Sequence, residues 1–242
     1  MTEYVVVFFI SLLGGMIQSV TGFGAGVVIM LVLPYFFDLI KAPGISSTAI
    51  LGLTFLITLK YRSRIDLRKV AVPTAIYTIF AVTSVMLSKK LDLELLTLIF
   101  GVFLVILALW FIFFSNRVKL SGGIVSAVIC SVISGLCGGL FGIGGPLMAL
   151  YYSAVTNDRE EYLGNLQFLF LVSGLIMNLT RVLNGNYTID LLPYTLTGLV
   201  GIGIGKVFGL KIGDHIPADR MRTIVYWAVL VSGVITVLKQ LL

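Results

Sequence analysis

The sequence predicts an all-α, polytopic membrane protein made of two homologous halves, each broken near its start by glycine. Three observations predict it. Of 242 residues, 58% are hydrophobic and 12% charged, more apolar side chain than a soluble domain of this length can hide, because roughly half its residues must face water. Apolar stretches of roughly 18–25 residues recur, the length that crosses a hydrocarbon core at about 1.5 Å per residue. The second half of the chain also repeats features of the first at a near-constant offset.

Taken in order, the chain opens with MTEYVVVFFISLLGG, which has no basic n-region and no small-x-small cleavage site. It reads as the first membrane element and not as a removed signal peptide. The first half then offers apolar segments at about 4–21, 25–37, 43–60, 70–88 and 93–114, and the second at about 122–140, 146–156, 161–181, 190–213 and 218–240. That gives about 8–10 membrane helices in a single transmembrane domain over 1–242, with repeat A at about 4–114 and repeat B at about 122–240, joined near Ser115–Ser121. GMIQSVTGFGAG (15–26) aligns with GLCGGLFGIGGP (135–146) at an offset of 120, which places Gly15, Gly22 and Gly24 on Gly135, Gly142 and Gly144. The correspondence runs on to the Ile65-Asp66-Leu67 and Ile189-Asp190-Leu191 steps, and ends with Glu94 opposite Asp219.

The second segment of each half is too short to span, at about 20 Å for 25–37 and about 16 Å for 146–156. Each glycine step is therefore a break between a longer helix and a half-helix. Lys60, Arg62, Arg64, Arg68 and Lys69 mark the loop 60–69 as cytoplasmic. If neither broken pair makes a net crossing, the halves are inverted, and Arg117, Lys119, Arg159, Lys211, Arg220 and Arg222 join them on that side. If each pair crosses once, the halves are parallel and eight helices cross. The charge rule favours inversion.

Irregular backbone at membrane depth is tolerated only where protein buries it or a polar cavity adjoins it. A half-helix starting at Gly144–Pro146 aims its free amides and positive dipole end at the break. Pro146 suits a first helical turn, since the N–H it lacks has no partner there. The break at Gly22–Gly26 does the same from the other half. Two such termini converging make an anion site without a fixed cation.

The acids agree with an anion site. Glu3, Asp38, Asp66, Asp92, Glu94, Asp158, Glu160, Glu161, Asp190, Asp214 and Asp219 all fall at segment ends or in loops, and none lies mid-membrane, where cation and proton carriers place one. The candidate substrate-binding residues are Gln18, Ser19, Thr21, Gly22, Phe23, Gly24, Ala25 and Gly26 at the first break. At the second they are Gly142, Ile143, Gly144, Gly145 and Pro146. Asn165, Gln167, Asn178 and Arg181 complete the set, beside the neutral donors Ser46, Ser47, Thr48 and Ser173. Each neutral donor is individually more often a helix–helix hydrogen bond than a ligand. Gly201, Gly205, Gly209 and Gly213 recur every four residues on one face and read as close helix packing.

Other classes find little support. No H-E-x-x-H, G-x-S-x-G or membrane aspartate pair occurs, so no catalytic residue is assigned and the chain does not read as an enzyme. The glycine clusters have no G-x-G-x-x-G spacing, and no cofactor is implied. Cys130 and Cys137 lie seven apart in an apolar helix, and His215 is alone in a loop beside Asp214, so no metal site is expected. The formal charge of +6 suits cytoplasmic loops facing a bilayer and not nucleic acid, for which a basic patch with exposed aromatics is missing. The partners implied are a small anion and lipid, and a homodimer is compatible with the sequence. An anion channel and a membrane scaffold for another protein stay open as alternatives.

The twin motifs, G-F-G-x-G at 22–26 and G-x-x-G-I-G-G at 139–145, resemble those of the TauE/SafE sulfite-exporter family over nearly the whole chain. The resemblance implies a permease of a bacterial or archaeal cytoplasmic membrane that exports sulfite, sulfonates or related anions. Gly22, Phe23, Gly24 and Gly26 match the first family motif, and Gly142, Gly144, Gly145 and Pro146 the second. Ala25 stands where the family often has glycine, which narrows backbone approach on that side.

Overall fold

The computed structural model describes residues 1–114, 122–213 and 218–241. Among the described residues there are ten α-helices and no strand. In the first half they are α1 (Thr2–Thr21), α2 (Ala25–Met30), α3 (Ala42–Lys60), α4 (Leu67–Ser88) and α5 (Leu93–Phe114). In the second half they are α6 (Ile124–Phe141), α7 (Gly145–Val155), α8 (Arg159–Leu183), α9 (Leu192–Gly213) and α10 (Ala218–Leu241). Seven of them are long and apolar enough to cross a bilayer. The junction near 115–121, with Arg117 and Lys119, and Asp214 and His215 lie outside the described residues.

Local sequence accounts for the helix ends. Asp66 starts α4, its carboxylate accepting from the Arg68 N–H at 2.9 Å, and Asp158 starts α8 by accepting from the Glu161 N–H at 2.9 Å. Pro146 sits in the first turn of α7, as anticipated. One segment differs from expectation. Residues 25–37 are not a single half-helix, because α2 stops at Met30 and a 3₁₀ turn, Leu33–Tyr35, follows. Pro34 is the cause, since it has no N–H to donate to the Met30 carbonyl.

The helices of the two halves interlock. α1 lies on α9 so closely that a Cβ on Gly201 would reach the Phe8 carbonyl at 2.5 Å, and one on Gly205 or Gly209 would strike the carbonyl of Leu12 or Met16. The close-packing role expected of this stripe is what the contacts show at those three positions. The rising numbers on both sides make α1 and α9 parallel. α4 and α6 pair in the same way, with Gly135 on Tyr77 and Gly139 on Ala81 and Ser84. α3 and α8 run antiparallel, with Gly44 against Tyr187, Ser47 bonded to Asn178, and Gly164 against Tyr61. Tyr187 also donates to the Thr195 hydroxyl at 2.7 Å, so α9 starts at the end where α3 starts. α4 runs with α8, since Lys69 meets Glu161, Thr78 meets Ser173 and Asn184 donates to the Val85 carbonyl.

The two ends of this bundle differ in chemistry. At one end Arg64 pairs with Asp158 and Glu160, and Lys69 with Glu161 at 2.6 Å. The Asp158 carboxyl is held below its ordinary range, first by the Glu161 backbone N–H and then by the charge of Arg64. At the other end Asn184 donates to the Asn186 side chain at 2.6 Å, and Asn186 donates to the Ser88 hydroxyl at 2.8 Å.

Because α3 separates these ends, Ser63 and Ile189, both exposed, should react with an impermeant thiol reagent from opposite sides of the membrane. The experiment uses single Ser63→Cys and Ile189→Cys variants with Cys130 and Cys137 changed to Ala. Labelling of both from one side would contradict the helix directions described.

Candidate functional site

Both breaks form where the glycines stand, by different means. α1 ends at Gly22, whose φ of 83° is left-handed and whose N–H closes on the Gln18 carbonyl at 2.8 Å. Gly24, at φ 105°, opens α2. α6 ends at Gly142, at φ 69°. A side chain at Gly22 or Gly142 would cost about 1–2 kcal/mol in that conformation. Gly144 is ordinary in φ, at −106°, and is glycine for space. A Cβ there would strike the Tyr77 hydroxyl and lie 2.7 Å from the Ser134 carbonyl.

The breaks meet. A Cβ on Gly26 would come within 2.5 Å of the Gly142 carbonyl, and one on Gly145 within 3.3 Å of Phe23 Cβ. Gly22 faces Leu163, while Gly142, 120 residues on, faces Pro43, 120 residues before Leu163. Between the breaks lies a cavity of about 80 Å³, lined by Gln18, Phe23, Gly24, Gly26, Ser47, Thr54, Tyr77, Gly142, Ile143, Gly144, Gly145, Phe170, Gly174 and Met177 among others. No carboxylate lines it. The Tyr77 hydroxyl makes no hydrogen bond to the described residues, and Ser47 Oγ donates to Asn178 Oδ1 at 2.6 Å.

The first amides of α2 and α7 have no acceptor within their own helices, so the cavity combines neutral hydroxyls with helix starts. Such a lining can solvate an oxyanion. It offers no general base, and no metal-holding cluster occurs among the described residues.

The model of the family described as Sulfite exporter TauE/SafE matches residues 7–236. The chain belongs to that family. Searches of curated proteins and of solved structures find no match. TauE/SafE is a transporter family, which together with the helices makes this a multi-pass membrane transporter and not an enzyme, with a small anion and lipid as its surroundings.

In this TauE/SafE protein eight of the sequence candidates line the cavity: Gln18, Phe23, Gly24, Gly26, Gly142, Ile143, Gly144 and Gly145. Thr21 and Pro146 line a second, smaller apolar cavity that also touches Phe23 and Gly24. Ser19 lies outside both, turned toward Gly209 with its hydroxyl on the Met16 carbonyl at 2.8 Å. Ala25 backs onto Gly14 and does not line the cavity.

The polar residues of α8 do a different job. Gln167 Nε2 donates to the Gly22 carbonyl, Arg181 Nη2 to the Gly139 carbonyl, and Asn165 Oδ1 accepts from the Asp66 N–H at 2.8 Å. Asn178 touches the cavity through Ser47. Ser47, Thr54 and Ser46 sit on α3, and Ser46 Oγ is buried without a partner. Tyr77 and Thr54 are polar lining residues that the sequence did not single out. One hydroxyl in an apolar helix carries no local signal.

Gly144→Val should therefore lower the melting temperature of the purified protein, and so should Gly205→Val, whose side chain would meet the Leu12 carbonyl. The size is roughly 1–3 kcal/mol, the usual cost of overpacking. A Gly144→Val protein as stable as wild type would show that Tyr77 and α6 yield there.

Proposed function

We propose that the protein carries a small anion, a sulfur oxyanion or an organosulfonate such as sulfite, across a prokaryotic cytoplasmic membrane. The anion is held in the cavity between the paired glycine breaks. The observation that carries this is the cavity itself, which joins both breaks, presents hydroxyls and helix starts, and has no acid in its lining. Oxyanions accept several hydrogen bonds at once, and neutral donors with helix N-termini supply them without a metal.

The two halves are read as inverted repeats. α1, α3 and α9 run one way and α4, α6 and α8 the other, so each helix opposes its counterpart in the other half. Inverted halves around one site suit alternating access, in which one half rocks against the other. With the basic loop 60–69 on the cytoplasmic side, export moves cargo away from the ion-paired end. A channel is the competing reading, because a glycine-lined path can also conduct.

Tyr77→Phe removes one hydroxyl that bonds to no atom of the described residues, so the fold should keep its melting temperature. Affinity for sulfite or methanesulfonate should fall about tenfold, from the loss of roughly 1.4 kcal/mol of hydrogen bonding to a charged group. Thermal shift at graded anion concentration measures it. Unchanged affinity would remove Tyr77 from the site. In proteoliposomes the flux should saturate with substrate, whereas flux that grows linearly with the gradient would favour the channel.

A further inference from the structure

Arg181 is the largest fully buried side chain among the described residues, at 1% exposure. Its Nη2 caps the Gly139 carbonyl at the end of α6, and its Nε has no partner. Among the described residues no carboxylate forms an ion pair with it. The buried acid Glu161 lies at the far end of α8 and is already paired with Lys69. One turn before Arg181, Asn178 Nδ2 is also buried and unpartnered, and its Oδ1 holds Ser47, which lines the cavity. The stem of Arg181 rests beside Gly44, where a Cβ would lie 3.7 Å from Cδ.

Capping a carbonyl does not require a charge. At the first break Gln167, a neutral amide, does the same for Gly22. A buried guanidinium without a counter-ion costs far more than a buried amide, since desolvation is not repaid by an opposite charge. Its presence is explained if the missing negative charge arrives with the cargo.

We propose that Arg181 is the fixed counter-charge of the anion site and that the bound cargo carries a single net negative charge. This rests on the cavity as the anion site. One buried guanidinium balances one charge, and the helix starts at the breaks add only partial charges that orient oxygens. A dianion such as sulfate leaves one charge uncompensated in a low-dielectric interior, whereas hydrogensulfite or an alkanesulfonate does not. Asn178 Nδ2 and Arg181 Nε, the two orphaned donors on this face of α8, are the groups that the anion satisfies directly or through a shift of the Ser47–Asn178 pair.

The test is the melting temperature of the full chain in detergent at constant sodium chloride, titrated with sodium methanesulfonate or sodium sulfate. In wild type, methanesulfonate should raise it with a midpoint at least tenfold lower than that of sulfate. Arg181→Gln keeps an amide donor at this position and removes the charge. Its anion-free melting temperature should equal or exceed wild type, and the methanesulfonate shift should be lost. Arg181→Lys should retain the shift. A Gln variant that keeps the shift within threefold of the wild-type midpoint overturns the counter-charge. So does one that melts lower than wild type without anion, or fails to fold where the Lys variant folds, because Arg181 is then a strut for α6. Equal responses to methanesulfonate and sulfate overturn the single charge. A wild type that responds to neither anion removes the cavity as the site as well, whereas a response lost in Tyr77→Phe but kept in Arg181→Gln removes only the counter-charge.

Discussion

Backbone polar groups in hydrocarbon must find partners inside the protein, and the two broken helices make that constraint acute. A helix that stops short leaves its last carbonyls without the N–H groups four residues on. α8 answers this along one face. Arg159, Tyr162 and Gln167 donate to the carbonyls of Val20, Thr21 and Gly22 at the end of α1. Arg181, 14 residues beyond Gln167, donates to Gly139 at the end of α6. Roughly 21 Å of helix separates those two donors, so one rigid element reaches both breaks. The polar seam of α8 thus supplies partners to carbonyls at both breaks.

Interlocking follows from the same need. Each half packs its first helix on the fourth helix of the other half, at glycines that admit a facing backbone. With no hydrophobic drive between helices in lipid, such close contact supplies the packing that holds the bundle. It also brings Gly26 onto Gly142 and Phe23 onto Gly145, so that two breaks far apart in sequence share one cavity. Either half alone would lack the partner break, and the first half would also lack the α8 seam.

Charge is distributed to match a transporter of anions. Acidic side chains gather at the helix ends, with Asp158, Glu160 and Glu161 answering Arg64 and Lys69 across the halves. The interior keeps hydroxyls, amides and one guanidinium. A cavity with no carboxylate in its lining favours an anion over a cation. The ends differ too: at one, Arg64 and Lys69 pair with Asp158, Glu160 and Glu161 of the other half, whereas at the other the Lys41–Asp38 and Met1–Glu3 pairs are local.

Much of this was legible in the residues. Apolar length and composition fixed an all-helical membrane chain, and the segment bounds fall within a few residues of the helices. Glycine pairs and Pro146 marked the breaks, because backbone conformation at those positions is a local property of the residue type. The aspartate caps of α4 and α8 are local in the same sense. Tertiary structure decided the rest. It gave Gln167 and Asn165 to the backbone and left Ser47 and Tyr77 to the cavity. It made Gly144 a matter of space against Tyr77 and Ser134, where sequence alone suggested close approach of a ligand. It ended α2 at Met30, through a proline whose effect on so short a helix the apolar pattern does not weigh. A hydroxyl or an amide in an apolar helix looks the same whether it serves a neighbour's carbonyl or an anion. Only the packing of helices more than a hundred residues apart settles which partner it meets.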